Sequence, residues 1–147
     1  MGAVEDFFRG DPMGFLLTRA AQNMRLQLGR AFADAGLGIS VEQWHILMEL
    51  WQQDGLNQRE LGSRCCKSKV SITKILAKLE DQGLVIRRRS NRDRRGNRVF
   101  LTEAGYRLQD ITLRLAKKNS HHAVEGIDPE RVDVCKDVLK KIFENMK

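Results

Sequence analysis

Long apolar runs are missing from this sequence, and with them a membrane-spanning helix: no stretch approaches the ~20 residues needed to cross a bilayer. The start, Met1 to Phe8, is acidic and lacks a cationic segment, so it does not read as a signal peptide, and Asp6 breaks the myristoylation pattern that Met1-Gly2 would open. A cytoplasmic protein is expected. Cysteine is scarce as well. Three thiols, an odd number, suit a reducing compartment better than a disulfide framework. They have no zinc-type spacing, because Cys65 and Cys66 are adjacent, Cys135 is remote, and the histidines are only His45, His121 and His122. His121-His122 reads as a solvated helix end, so neither a metal nor any other cofactor is expected. Nucleophile elbows, phosphate loops and paired loop carboxylates are absent too, which argues against an enzyme. There is no internal repeat, low-complexity tract or flexible linker. The 147 residues therefore read as one domain, large enough to bury its own core.

What the sequence does have is localised positive charge. Between Arg64 and Arg98 lie twelve cations against Glu80, Asp81 and Asp93, a net +9, while the whole chain is only +7, so the remainder sums to −2. One basic patch on an otherwise balanced chain is the electrostatic footprint of a nucleic-acid reader. Most charge runs are salt-bridged solvent faces. Here seven arginines from Arg87 to Arg98 have only Asp93 among them, and they would repel one another without a polyanion.

The patch has internal order. With Ser68 as the helix start, Ile72, Ile75, Leu76 and Leu79 share one face, and Lys67, Val70, Ser71, Lys74 and Lys78 share the opposite one. Such a mixture of cations, a hydroxyl and one apolar group suits phosphates and base edges. Gly83 at C′, with Leu84 closing onto Leu79, is expected to end the helix near Gln82. Val85 to Arg89 and Arg98 to Leu101 then read as strands of a hairpin around a turn-rich arginine loop. Upstream, Asn57 and Glu60 form the cap of a short helix with Leu61 and Cys65 facing inward. A tight connection at Cys66 to Lys67 makes the pair a helix-turn-helix. Gly62 within it points to close helix-to-helix approach.

The run Asp93, Arg94, Arg95, Gly96, Asn97, Arg98, Val99, Phe100, Leu101 and Thr102 resembles the wing signature of MarR-type winged helix-turn-helix regulators. The segment Leu76 to Val85 is similar to the end of that family's recognition helix, and the likeness extends over nearly the whole chain. The resemblance implies that Arg95 sits at the wing tip in the minor groove with Asp93 orienting it, and that Ser71, Thr73 and Lys74 lie in the major groove. The full set of expected DNA-contacting residues is Lys67, Lys69, Val70, Ser71, Thr73, Lys74, Lys78, Arg92, Asp93, Arg94, Arg95 and Arg98.

The flanks read as helices. Asp11 and Pro12 look like an N-cap and N1 pair, followed by a four-three seam through Leu17, Ala21, Met24, Leu28, Ala31 and Ala35. Ser40 with Gln43 forms a capping box for a helix that is apolar nearly all round. Thr102 caps a helix beyond the hairpin, and Asp128-Pro129 opens a last one with a seam through Val132, Cys135, Leu139, Ile142 and Met146. These patterns assign residues 12–35 and 103–147 mainly to dimerisation and 40–102 to a winged helix-turn-helix DNA-binding region. The fold expected is mainly α with a small β-hairpin wing.

Two further sets are candidates. Trp44, His45, Met48 and Trp51 could line a site for a small aromatic or anionic effector, as the resembled family often has, though core packing fits them as well. Cys65 and Cys66 could form a redox pair, with Arg64 and Lys67 lowering the pKa of Cys66; a structural role is the simpler reading. The function expected is a homodimeric, sequence-specific double-stranded-DNA-binding transcription regulator on a pseudo-palindromic operator, a repressor released by a small-molecule or redox signal. The alternative is a constitutive or non-specific architectural DNA-binding protein.

Overall fold

The structure, a computed structural model, describes residues 2–89 and 97–147. Helices α1 (Ala3–Arg9), α2 (Met13–Asp34) and α3 (Val41–Gln52) are followed by a short strand β1 (Leu56–Asn57). Then come α4 (Gln58–Arg64), α5 (Lys69–Asp81), the strands β2 (Val85–Arg89) and β3 (Asn97–Leu101), and the helices α6 (Glu103–Ala123) and α7 (Pro129–Asn145). The fold is mainly α with one small antiparallel sheet of order β1-β3-β2.

Capping chemistry sets most of these boundaries. Ser40 with Gln43 and Asn57 with Glu60 both close reciprocal capping boxes at α3 and α4. Ser68, Thr102 and Asp128 cap α5, α6 and α7 through their side chains. At the end of α5, Gly83 (φ 72°) lets its own N–H reach the Glu80 carbonyl and that of Leu84 reach Leu79, the two bonds of a Schellman cap.

The start of the chain differs from expectation. Asp11 does not cap α2: it stands in the left-handed region at φ 46°, and its N–H donates to the Phe8 carbonyl, so it terminates α1, a helix the periodicity did not announce. Aspartate tolerates that conformation better than most side chains. Pro12 is the N-cap, and α2 begins at Met13. The third strand, β1, was likewise unexpected. Its two residues pair with Arg98 and Val99, too short a run to carry an alternation. Asp54 secures that edge: Oδ1 accepts from the N–H groups of Gly55 and Leu101, and Oδ2 accepts from the Tyr106 hydroxyl.

The core lies around α3, where Ile46, Leu47 and Leu50 meet Phe32 of α2, Leu61 of α4, Leu76 and Leu79 of α5, and Val85 and Val99 of the sheet. Trp51 donates from Nε1 to the Gly105 carbonyl and pins α6 to α3. Gly105 is required there, because a Cβ would fall onto the Leu84 carbonyl. The termini are different. Among the described residues, neither α1 nor α7 buries a residue against its own chain, and α2 buries only Leu28 and Phe32.

Candidate nucleic-acid interface

Helix α4 ends in a second Schellman arrangement, with the Cys66 N–H on the Ser63 carbonyl and the Lys67 N–H on Gly62. The left-handed residue there is Cys66, at φ 53°, where glycine is usual. This turn swings the chain back so that α5 crosses against α4. The crossing is close, since a Cβ on Gly62 would lie 3.3 Å from the Lys67 carbonyl oxygen. The expectation of close approach at Gly62 holds for that reason. A hydrogen bond of 2.7 Å from Gln58 Nε2 to Thr73 Oγ1 clamps the two helices on their outer side.

Along α5 the inward face is as the spacing implied, with Ile72, Leu76 and Leu79 buried and Ile75 half-buried. The outward face presents Lys69, Val70, Thr73, Lys74 and Lys78 to solvent, with Ser71 half-buried beside them. Among the described residues no acidic side chain pairs with Lys69, Lys74 or Lys78. Val70 is 67% exposed, so the described part of its own chain gives it no packing partner of consequence.

Three of the expected contacts stand differently. Lys67 precedes the Ser68 cap rather than sharing the helix face, and its Nζ lies 3.4 Å from Glu42, which also holds Arg25 at 2.8 Å. The Thr73 hydroxyl already donates to the Lys69 carbonyl and accepts from Gln58, which leaves chiefly its methyl for a partner. Ser71 Oγ accepts from Ser68 Oγ at 3.2 Å.

The hairpin strands pair in register, with Arg87 opposite Val99, Arg88 opposite Arg98 and Arg89 opposite Asn97. Arg87 is not a free cation, as the sequence suggested. Glu80 at the end of α5 accepts from its Nε, Nη2 and backbone N–H, and this ion pair lowers the carboxylate's pKa. Arg98 Nη1 donates to the Gly55 carbonyl at 3.3 Å, and Arg88 lies over the Phe100 ring at 5.6 Å. Arg92, Asp93, Arg94 and Arg95 lie outside the described residues.

The effector candidates are mostly core. Trp44 is buried against Phe32 at 5.8 Å between ring centroids, Trp51 is tied to Gly105, and Met48 packs on the core. His45 is exposed at one edge, with its ring 5.5 Å from that of Trp44. Partial burial, then Arg25 and Lys67, hold its pKa below the ordinary value against the opposing pull of Glu42. None of the four lines the groove found between α2 and α3, about 650 Å³ in volume, walled by Arg25, Leu26, Gly29, Arg30, Ile39, Val41 and Glu42. That groove could not be read from helix periodicity, because it is made by the angle between two helices. Burial raises the pKa of the Cys65 thiol, with Glu49 and Cys66 adding to the effect, so Cys65 is a poor nucleophile. Cys66 is exposed.

Residues 39–96, the part of the chain that holds α3, α4, α5 and β2, match the MarR family. The HTH-type transcriptional regulator TtmR of Methylorubrum extorquens is 35% identical over 55% of this chain and 43% of its own length. The organic hydroperoxide resistance transcriptional regulator of Bacillus subtilis is 31% identical over 65% of this chain and 64% of its own. The matched region thus spans less than two-thirds of either relative. Whole-chain likeness comes from solved structures. CouR from Rhodococcus jostii RHA1, bound to p-coumaroyl-CoA, is 27% identical with a TM-score of 0.77, covering 90% of this chain and 92% of that one. A cysteine-to-serine mutant of MarR from E. coli, complexed with operator DNA, shares the fold with a TM-score of 0.84 at 22% identity, covering 92% and 96%. With its helix-turn-helix, its hairpin and its terminal helices in the same order, the chain belongs to the MarR family.

Proposed function

We propose that this protein is a homodimeric transcription regulator that binds double-stranded operator DNA, with α5 as the recognition helix in the major groove and the β2–β3 hairpin as the wing. The observation that carries this reading is the outward face of α5, where Lys69, Lys74 and Lys78 flank the exposed Val70 without an acidic partner among the described residues. Cations supply sequence-independent attraction to phosphate, and an apolar group among them can meet a thymine methyl. Arg92, Arg94 and Arg95, with Asp93, extend this cationic surface in the sequence; in our reading Arg95 enters the minor groove. The complex of a MarR protein with operator DNA, on the same fold, supports the assignment.

The dimer is built by the termini, whose apolar faces have no partner among the described residues of the same chain. Two recognition helices would then lie about one helical turn apart, ~34 Å, on a pseudo-palindromic site. Repression in the cytoplasm, relieved by a small anionic ligand, is the regulatory mode we assign. The α2–α3 groove is the effector site, since it sets the cations Arg25 and Arg30 around an apolar floor and falls within the usual volume of small-molecule sites. CouR bound to p-coumaroyl-CoA supports an acidic aromatic ligand class. The test is selection of bound sites from random duplexes, followed by titration of a selected site and a scrambled one at several salt concentrations. A regulator prefers its site by ~10³-fold or more. Equal affinity for both duplexes would favour an architectural protein.

A further inference from the structure

Gln43 does more than cap its helix. Its carboxamide is 2% exposed, and while Oε1 accepts from the Ser40 N–H at 2.9 Å, Nε2 donates to Gln82 Oε1 at 2.6 Å. Gln82 in turn donates from Nε2 to the Gly38 carbonyl at 2.7 Å. The two ends of this relay are backbone groups of opposite kind: an N–H can only donate and a carbonyl can only accept. Both amide orientations are therefore fixed, and no carboxylate can replace either amide without setting oxygen against oxygen.

The relay joins two places that matter to DNA reading. Gln82 is the C-cap of α5, and Gly38 lies in the connection between α2 and α3, where Gly36 and Gly38 take φ of 69° and 67°. At its other end α5 is held by the Gln58–Thr73 clamp. A 13-residue helix is about 20 Å long, so a 1 Å shift at one end tilts it by roughly 3°. Such a tilt displaces side chains by an amount that hydrogen bonds to base edges do not tolerate.

We propose that Gln43 and Gln82 are positioning residues for operator recognition: their relay sets the presentation of α5 relative to the connection that leads into α2. The inference rests on the proposed reading of α5 as the recognition helix. It concerns discrimination rather than attraction, because neither glutamine carries charge.

Two variants test it, Q82M and Q82E, with the selected operator and random duplex titrated across salt concentration and pH, and thermal unfolding measured alongside. Gln82 is exposed, so both variants retain the fold. Q82M keeps the side-chain length but removes both bonds. Its operator affinity should fall by about five- to tenfold, with random-duplex affinity and the salt slope unchanged. Q82E should bind operator poorly at about pH 8, where a carboxylate faces the Gly38 carbonyl, and recover relative to wild type at about pH 5 as the protonated acid donates again. Q82M that matches wild type on operator, that loses both duplexes equally, or a Q82E deficit indifferent to pH would overturn the relay's role. A wild-type protein that binds operator and random duplex alike would overturn the recognition-helix reading and this proposal together.

Discussion

Glu80 and Arg87 form a three-point contact across the end of the recognition helix: one carboxylate accepts from the guanidinium at two nitrogens and from the arginine's own backbone N–H. The pair sets the root of the hairpin against α5, and it withdraws Arg87 from the cations available to phosphate. Glu80→Gln keeps the shape and removes the charge. It should cost only ~0.5 to 1 kcal/mol in urea unfolding, since the pair is partly solvated. The depressed carboxylate pKa adds stability that is present above the unfolded value and lost as pH falls through the folded one, so the variant should also flatten the acid limb of the stability curve. An unchanged acid limb would mean that the contact is not held in solution.

The turn between α4 and α5 carries a non-glycine residue in a left-handed conformation, Cys66 at φ 53°. Glycine there relieves the steric cost but loses more entropy on folding, so Cys66→Gly should raise stability by a net ~0.5 kcal/mol, and Cys66→Ala should not. Denaturation midpoints of the two variants separate this from any effect of removing a thiol. If both shift alike, the gain comes from the sulfur and not from the backbone.

His45 should impart a pH dependence of its own. Its folded pKa is depressed, so the folded protein binds fewer protons here than the unfolded chain does. The associated stability is complete above the unfolded value of about 6.5 and is lost as pH falls through the folded one. His45→Gln should remove that slope between about pH 7 and pH 5.5 while leaving the lower-pH limb set by Glu42, whose pKa is lowered by Arg25 and Lys67. Stability of wild type and variant at those two pH values decides it.

The caps at Ser40, Asn57, Ser68 and Thr102 and the Gly83 stop were legible in the sequence because each is a local bond between near neighbours. The buried stripe of α5 was legible because it repeats. What escaped was set by tertiary geometry. Glu80 lies seven positions from Arg87 and Asp54 lies 47 from Leu101, distances at which no periodicity signals a bond. Glu42 could not be matched with Lys67 and Arg25 for the same reason, and the groove between α2 and α3 exists only once those helices are placed. Trp44 and Trp51 were ambiguous in sequence because an aromatic residue on an all-round apolar helix serves a core and a ligand equally well.

Val70 is the sharpest test of base reading. At 67% exposure it has little packing to lose, so Val70→Ser should leave the fold and the salt slope intact. Preference should relax at one base pair per half-site, as expected of an apolar contact with a thymine methyl. A selection profile identical to wild type would remove Val70 from the interface.

The terminal helices make the last prediction. Along α7 the exposed residues Val134, Val138, Leu139 and Phe143 recur at helical spacing, and none is buried by its own chain. On α1 and the start of α2, Phe7, Phe8 and Phe15 cluster with centroids 4.9 to 6.2 Å apart and remain largely exposed. A second copy of the chain is the partner that would cover both surfaces. Because a two-fold interface uses each residue twice, Val138→Asp removes two buried side chains at ~2 kcal/mol each and should raise the dimer dissociation constant by on the order of 10³. The α3-centred core should survive, since α7 contributes nothing to it. Sedimentation equilibrium should then find a folded monomer whose operator affinity falls far more than its affinity for a single half-site. A variant that stays dimeric would place the interface elsewhere, and one that unfolds outright would show that dimerisation is needed for the core to form.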